Sequence, residues 1–387
     1  MIAIAESYWN KIHSKINNFK PTNDHLLDGN LALVWYYYHT WKATKQIALV
    51  EKVQELINQV FNNINTNPQL AGASFGNGMA GFAYTVTIIS KDKLIDINID
   101  EELEDIDDYL YQQAVEWIND DYIDFLHGAT GIIHYFNERL DNQKIYNYTN
   151  DLIESLFYRG IIDSKGLRFK NYVVNIDEKQ KIDFSLSHGL VGFMLVLLNS
   201  YEKGLKNEMI PNFASKAINY IFSYKRNPDF DKGQYSYFPN TVNENEVNYK
   251  NRLAWCYGDL NIVLLLFRYA TLFNDKNIEK QAILIGTSTL VRVDANSSLV
   301  SDAHFCHGAS GVTQFYKTLY TISCVDAFKK GYEQWIDKLL VFIDQDFSNK
   351  NYESIEGNIL DGYIGIALTL LSYFKKETLY WQTTFLL

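Results

Sequence analysis

The chain has 387 residues, a formal net charge of −11, 47% hydrophobic residues and 15% aromatics. That apolar share excludes general disorder, and the acidic balance excludes a sequence-independent grip on nucleic acid or anionic lipid, both of which need a basic face. The three cysteines, Cys256, Cys306 and Cys324, are too few and oddly numbered for a disulfide framework in so long a chain.

The first residues, MIAIAESYWNKIHSK, lack the basic segment, apolar run and small-residue site of a secretory signal. No later apolar run reaches the ~20 residues that span a bilayer. The expectation is a cytoplasmic protein with no transmembrane segment.

From Asp28 onward a short turn centred on glycine, followed by an apolar run, recurs along the chain. The copies are DGNLALVWYYY from Asp28, NGMAGFAYTV from Asn77, HGATGIIHYF from His127, HGLVGFMLVLL from His188, YGDLNIVLLLF from Tyr257, HGASGVTQFY from His307 and DGYIGIALTLL from Asp361. The first glycines are Gly29, Gly78, Gly128, Gly189, Gly258, Gly308 and Gly362, so successive copies are 49 to 69 residues apart. Each interval has room for one more helix and its loops. The runs themselves are hydrophobic nearly all round, as buried helices are. Between them lie amphipathic segments such as IALVEKVQELINQVFNNI from Ile47, ASKAINYIFSY from Ala214 and KKGYEQWIDKLLVFI from Lys329.

The pattern predicts seven helical hairpins in inner and outer layers, an all-α α/α toroid formed as a single domain over 1–387. An open solenoid has the same periodicity, but closure buries both ends. Two segments interrupt the spacing. Residues 164–183 alternate apolar and polar around a charged turn, as a small β-hairpin does. Residues 227–251, rich in Asn, Asp, Pro and Tyr, read as a long surface loop and a candidate substrate contact.

Aligning the repeats on the first glycine places residues in equivalent slots. Two positions before it stand Leu27, Gly76, Leu126, Ser187, Cys256, Cys306 and Leu360; one position before it stand Asp28, Asn77, His127, His188, Tyr257, His307 and Asp361. The two cysteines share a slot in adjacent repeats, and neighbouring hairpins sit roughly 10 Å apart, so Cys256, Cys306 and His307 can reach one ion. Two thiolates and an imidazole suit Zn²⁺, and three protein ligands leave a fourth position for chemistry. Taken singly, each cysteine is equally a small buried hydrophobe.

RLAWCYG (Arg252 to Gly258), FCHGASG (Phe305 to Gly311), SHGLVG (Ser187 to Gly192) and DFLHGATG (Asp124 to Gly131) carry a family resemblance. The chain resembles the lanthionine synthetase C-like cyclases over essentially all seven repeats. The resemblance implies an α-toroid with zinc on Cys256, Cys306 and His307, an acid/base histidine at His188, a catalytic aspartate at Asp124, and motif residues at Arg252 and Trp255. Family members continue WCYG with x-Pro-Gly. Here it continues Asp259-Leu260-Asn261, so the shape of this loop is expected to differ.

What the resemblance implies is thioether formation, the addition of a peptide cysteine thiol to dehydroalanine or dehydrobutyrine. Metal coordination deprotonates a thiol whose free pKa is about 8.5. His188 would protonate the resulting enolate, Asp124 would take the thiol proton or orient a base, and Arg252 would stabilise the enolate charge. Each also has a structural alternative: a packed or capping His188, a capping Asp124, an ion-paired Arg252, a packed Trp255. The implied partners are a dehydrated precursor peptide and a separate dehydratase, with a transporter, in a complex that would bring the protein to the membrane periphery. Three other readings use the same fold. They are a relative that adds glutathione to dehydrated sites, a non-enzymatic peptide-binding toroid with structural zinc, and a glycosidase using Asp28 and Asp361 as paired carboxylates.

Overall fold

The structure is a computed structural model and describes residues 1–171, 181–375 and 379–387. In chain order the helices are α1 (Ile2–Asn18), α2 (Asn30–Thr44), α3 (Ala48–Thr66), α4 (Met79–Lys91), α5 (Ile99–Glu102), α6 (Glu104–Asn119), α7 (Ala129–Phe136) and α8 (Gln143–Arg159). They continue with α9 (Leu190–Glu202), α10 (Met209–Phe222), α11 (Asp259–Phe273), α12 (Lys276–Ser288), α13 (Ala295–Ser298), α14 (Ala309–Ser323), α15 (Asp326–Asn349) and α16 (Tyr363–Phe374). Short strands are β1 (Ile161–Asp163), β2 (Gly166–Arg168), β3 (Ile182–Asp183), β4 (Thr241–Val242) and β5 (Val247–Asn248).

The seven apolar runs are α2, α4, α7, α9, α11, α14 and α16, and each starts one residue after the first glycine of its repeat. The reason for glycine is contact. A Cβ on Gly78 or Gly128 would strike the carbonyl of the residue six positions earlier, Gly72 or Tyr122, and one on Gly192 would strike the carbonyl of Leu186. The loop is thus wound tightly against the helix start. The helix's first N–H, orphaned in any helix, is satisfied by the loop itself: Met79 donates to the Gly72 carbonyl, Ala129 to Tyr122 and Ala309 to Asp302.

The chain divides into two compact units. The first takes in Met1–Ile106, Ser301–Tyr316 and Lys330–Leu387. Here α2 packs on α3, whose Leu49, Val53, Ile57 and Val60 form one buried stripe at helical spacing. Among the described residues, the inner helix α16 is followed by no outer helix of its own. Instead α1 packs on it, burying Ala5, Trp9, Ile12 and Ile16, and α16 also meets α2. The Ile359 N–H donates to the Leu27 carbonyl at 2.8 Å, which joins the seventh repeat to the first. The expected seven hairpins therefore include one built from the two ends of the sequence.

The second unit comprises Asp107–Val300 and Lys317–Lys329. Its centre is α9, buried along Leu190–Leu198 and packed against α7, α10 and α11. Each large aliphatic side chain buried there contributes about 1.5–3 kcal/mol. Strands β1 and β2 form an antiparallel hairpin over 161–168, so this insertion begins three residues before the expected 164. Of that insertion, 172–180 lies outside the described residues. The 227–251 segment corrects the sequence reading: it is no plain loop. It carries a 3-10 turn at Phe230–Lys232 and the β4–β5 pair, and β3 from the first insertion joins them in a three-stranded antiparallel sheet ordered β3-β4-β5. Two-residue strands are too short to show the alternation from which strands are read.

Candidate metal centre

The loops before the inner helices carry the chemistry, and backbone hydrogen bonds lace them together. In the first unit, Leu27 N–H donates to the Gly76 carbonyl and Cys306 N–H to the Leu360 carbonyl, at 3.2 and 2.8 Å. In the second, the N–H groups of Leu186 and Ser187 share the Cys256 carbonyl, at 2.9 and 3.2 Å. All these residues fall two or three positions before the first glycine, so the slots aligned by sequence are physically stitched to one another. Cys256 is thereby tied by its own backbone to the turn that bears His188.

Cys256 and Cys306 are 4% and 9% exposed and neither is in a disulfide. Cys306 Sγ lies 3.8 Å from His307 Nε2. The ligand atoms of Cys256, Cys306 and His307 all lie within 4.8 Å of one another. Two buried sulfurs and one imidazole nitrogen at that spacing suit a Zn²⁺ ion, which takes sulfur at about 2.3 Å and nitrogen at about 2.0–2.1 Å. Cys324 is exposed and takes no part.

His188 stands beside Asp124, with Nδ1 2.6 Å from Oδ2. The other carboxylate oxygen of Asp124 accepts the His127 N–H at 2.8 Å. Asp124 therefore has two tasks: Oδ1 braces the turn, and Oδ2 holds the imidazole. Burial pushes the His188 pKa down, but the hydrogen bond and negative charge of Asp124, with Asp183 behind it, outweigh burial and raise it above its ordinary value. Asn171, which the sequence reading missed, donates through Nδ2 to the His188 carbonyl at 2.6 Å and to Asp124 Oδ2 at 3.5 Å. A lone Asn in a polar segment carries no signal that would have singled it out. His127 stacks on His188 with ring centroids 6.0 Å apart, and burial lowers its pKa.

Trp255 is completely buried, whereas Arg252 is half-buried as a residue, with its Nε enclosed and its guanidinium over the ring of Tyr257 at 5.8 Å. The loop after Cys256 does depart from the others. Gly258 adopts φ +130°, while Gly29, Gly78, Gly128, Gly189 and Gly362 are extended with negative φ. Asn261 occupies the second-glycine slot. Its Nδ2 donates to the carbonyls of Ala254 and Trp255, and its Oδ1 accepts the Leu186 N–H. An amide side chain thus does in this loop what close backbone approach does in the others.

Asp259, directly after Gly258, is fully buried. It accepts the N–H groups of Tyr237 and Phe238 and pairs with the equally buried Arg292 at 3.1 Å. Arg292 also donates to the carbonyls of Ser297 and Asn251. Asp28 and Asp361, the carboxylates a glycosidase would need, each lie near a histidine, His25 at 3.1 Å and His304 at 3.7 Å. At the junction of the two insertions lies a cleft of about 380 Å³ bordered by Lys165, Arg168, Lys170, Tyr220, Tyr224 and Glu244. No helix among the described residues is long and apolar enough to cross a membrane.

Residues 20–386 match the family described as lanthionine synthetase C-like protein. No curated protein sequence matches the chain. Among solved structures, nisin cyclase is similar with a TM-score of 0.77 and 18% identity, covering 99% of this chain and 96% of its own. An α-1,6-mannanase, GH76A of Salegentibacter sp. HEL1_6, gives a TM-score of 0.47 at 10% identity, over 97% of this chain and 99% of its own. The cellobiose 2-epimerase of Bacillus thermoamylovorans B4167 gives 0.46 at 12%, over 97% and 100%. The likeness to nisin cyclase establishes the fold class expected from the repeats, an all-α α/α toroid.

Proposed function

The chain belongs to the lanthionine synthetase C-like family, and from that premise we propose that it is a zinc-dependent lanthipeptide cyclase. Its reaction would add cysteine thiols of a dehydrated peptide to dehydroalanine or dehydrobutyrine and close (methyl)lanthionine rings. The observation that carries this reading is the convergence of Cys256, Cys306 and His307. Three protein ligands make up the set, as in sites that keep a position for substrate, where a structural zinc has four. Zn²⁺ held by these residues would supply the Lewis acidity that keeps a substrate thiol deprotonated at neutral pH.

The remaining work falls to the chain's own groups. In the addition the S–H proton leaves, the S–Cβ bond forms, and the alkene electrons move into the adjacent carbonyl as an enolate. The enolate then takes a proton at Cα, so the addition consumes no co-reactant. His188 suits that last step. Asp124 engages its Nδ1, which leaves Nε2 to deliver the proton, and the raised pKa keeps the protonated form populated nearer neutrality. Arg252 supplies a permanent positive charge for the enolate oxygen. Trp255, being buried, acts by packing the loop that presents Cys256.

The substrate requires prior dehydration by a separate enzyme, and the two insertions are the surfaces we assign to peptide contact, within one domain spanning 1–387. The test is metal analysis of the purified protein with Cys256→Ala and Cys306→Ala, followed by mass spectrometry of a dehydrated peptide after thiol alkylation. About one zinc per chain at the cysteine set, lost in both variants together with ring closure, is expected. A folded wild type that takes up no zinc through these cysteines, or closes rings equally well without them, overturns the proposal.

A further inference from the structure

The position four residues before the first glycine has a constant task in most repeats. Ser74, Asp124, Ser185 and Asn358 stand there, and each accepts a backbone N–H from the turn that follows: Asn77, His127, His188 and Asp361 respectively. In the sixth repeat this position is His304, whose ring does no such capping. Its Nδ1 lies 2.5 Å from Asp302 Oδ1. Its Nε2 is buried and has no hydrogen-bond partner among the described residues, and the same is true of Asp302 Oδ1, so that close contact is an ion-pair distance rather than an aligned hydrogen bond.

His304 Nε2 points toward the next repeat, where Asp361 Oδ1 is 3.7 Å away. The relation repeats that of Asp124 to His188, a side chain four before the glycine facing one immediately before the glycine of the following repeat, with histidine and carboxylate exchanged. The separations differ. Asp124 and His188 are at hydrogen-bond distance, 2.6 Å, whereas 3.7 Å leaves His304 and Asp361 unbonded. Two ligands held at about 2.0–2.1 Å by a tetrahedral ion stand roughly 3.3–3.5 Å apart, close to this gap. His307 completes the group: its ring is 5.8 Å from that of His304, and ligand atoms of His304, His307 and Asp361 all lie within 4.8 Å of one another.

We propose that His304, His307 and Asp361 form a second divalent-cation site, built of nitrogen and oxygen ligands, beside the set that contains the cysteines. The surroundings of His304 agree, because a metal-bound histidine ordinarily has a carboxylate or carbonyl at its other ring nitrogen, and Asp302 stands there. Two carboxylates and two neutral imidazoles supply the charge a dication requires, and imidazole with carboxylate favours Zn²⁺, Ni²⁺ or Co²⁺. The Asp361 side chain is 52% exposed, so the group is open to an ion from solvent. The site includes neither cysteine but shares His307 with the cysteine set, so that imidazole can serve one ion at a time.

The test uses Co²⁺ titration of the full chain after metal removal. Cobalt held by cysteine gives an intense thiolate charge-transfer band in the near ultraviolet, and cobalt held by nitrogen and oxygen does not. In Cys256→Ser/Cys306→Ser, with folding checked by circular dichroism, about one Co²⁺ per chain is expected without that band. Adding Asp361→Asn or His304→Ala should weaken it tenfold or more. If the double variant does not fold, the wild type should bind a second Co²⁺ more weakly than the first, because His307 is shared, and Asp361→Asn should lose only that one, without thiolate character. A folded cysteine-free variant that binds no Co²⁺, or binding indifferent to both Asp361→Asn and His304→Ala, overturns the second site. A wild type lacking the thiolate band would instead count against the cyclase reading and leave this one standing.

Discussion

Replacing Arg292 by Met should be among the most damaging single changes in the second unit. Arg292 and Asp259 are each essentially inaccessible to solvent, and the guanidinium sends three nitrogens to three acceptors: Asp259, Ser297 O and Asn251 O. Arg292→Met leaves the Asp259 carboxylate with only the N–H groups of Tyr237 and Phe238. Removing one member of a buried pair costs about 3–5 kcal/mol. At about 2.1 cal/mol/K per residue, a chain of this length has an unfolding entropy near 0.8 kcal/mol/K, so Tm should fall by about 4–6 °C. Urea and thermal unfolding followed by far-ultraviolet circular dichroism read this directly. Burial already raises the Asp259 pKa against the pull of Arg292 and the two N–H groups. In the variant the folded-state pKa should rise further above its unfolded value, so stability is retained at low pH and lost as pH rises through it. The deficit should therefore be smaller at pH 5 than at pH 8. Arg292→Lys separates charge from geometry, because an ammonium keeps the charge but not the planar fork, and it should recover only part of the loss. A cost under about 1 kcal/mol for Met, or full recovery with Lys, would refute the argument.

Two further outcomes follow from the titrating groups. Asp124→Asn removes the largest influence raising the His188 pKa and leaves burial, which lowers it. The fall in cyclisation at high pH should move to lower pH, with a rate loss of roughly 10²-fold or more and unchanged zinc content; a high-pH limb that stays in place contradicts the assigned role. His39, enclosed with no hydrogen-bond partner among the described residues, has its pKa lowered to about 3 by burial, with Lys42 adding to the effect and Asp92 opposing it. The unfolded chain takes up this proton near pH 6.5 and the folded chain does not, so stability is full above 6.5 and declines as pH falls toward 3. His39→Leu should flatten that decline in urea midpoints measured between pH 7 and 4, and an unchanged slope would show that His39 is not its source.

The glycines made most of the fold legible in advance. Their spacing marks where each inner helix begins, because only a residue without a Cβ tolerates the carbonyl that returns from six positions earlier. The slots before them placed Cys256, Cys306 and His188 for the same reason, whereas Asp124, four positions before its glycine, came only from the family resemblance. What stayed hidden depends on contacts that periodicity does not encode. Asn261 was seen as a missing glycine, when its amide satisfies the carbonyls of Ala254 and Trp255. The Asp259–Arg292 pair joins residues 33 apart, and nothing in either segment announces the other. His304 was passed over because the alignment stopped two positions before the glycine, and β4 and β5 because two residues show no alternation.

Because α1 is the outer partner of α16, the order of synthesis matters. The helix with Ala5, Trp9, Ile12 and Ile16 on its sticky side leaves the ribosome more than three hundred residues before Tyr363–Phe374 exists. At about 5–20 residues per second that is a wait of roughly 20–70 s. During that time the stripe has no native surface to rest on and is available to chaperones or to other nascent chains. The last apolar run is therefore a timing device as well as a structural one: until it emerges, the apolar stripe of α1 has no native partner to cover it.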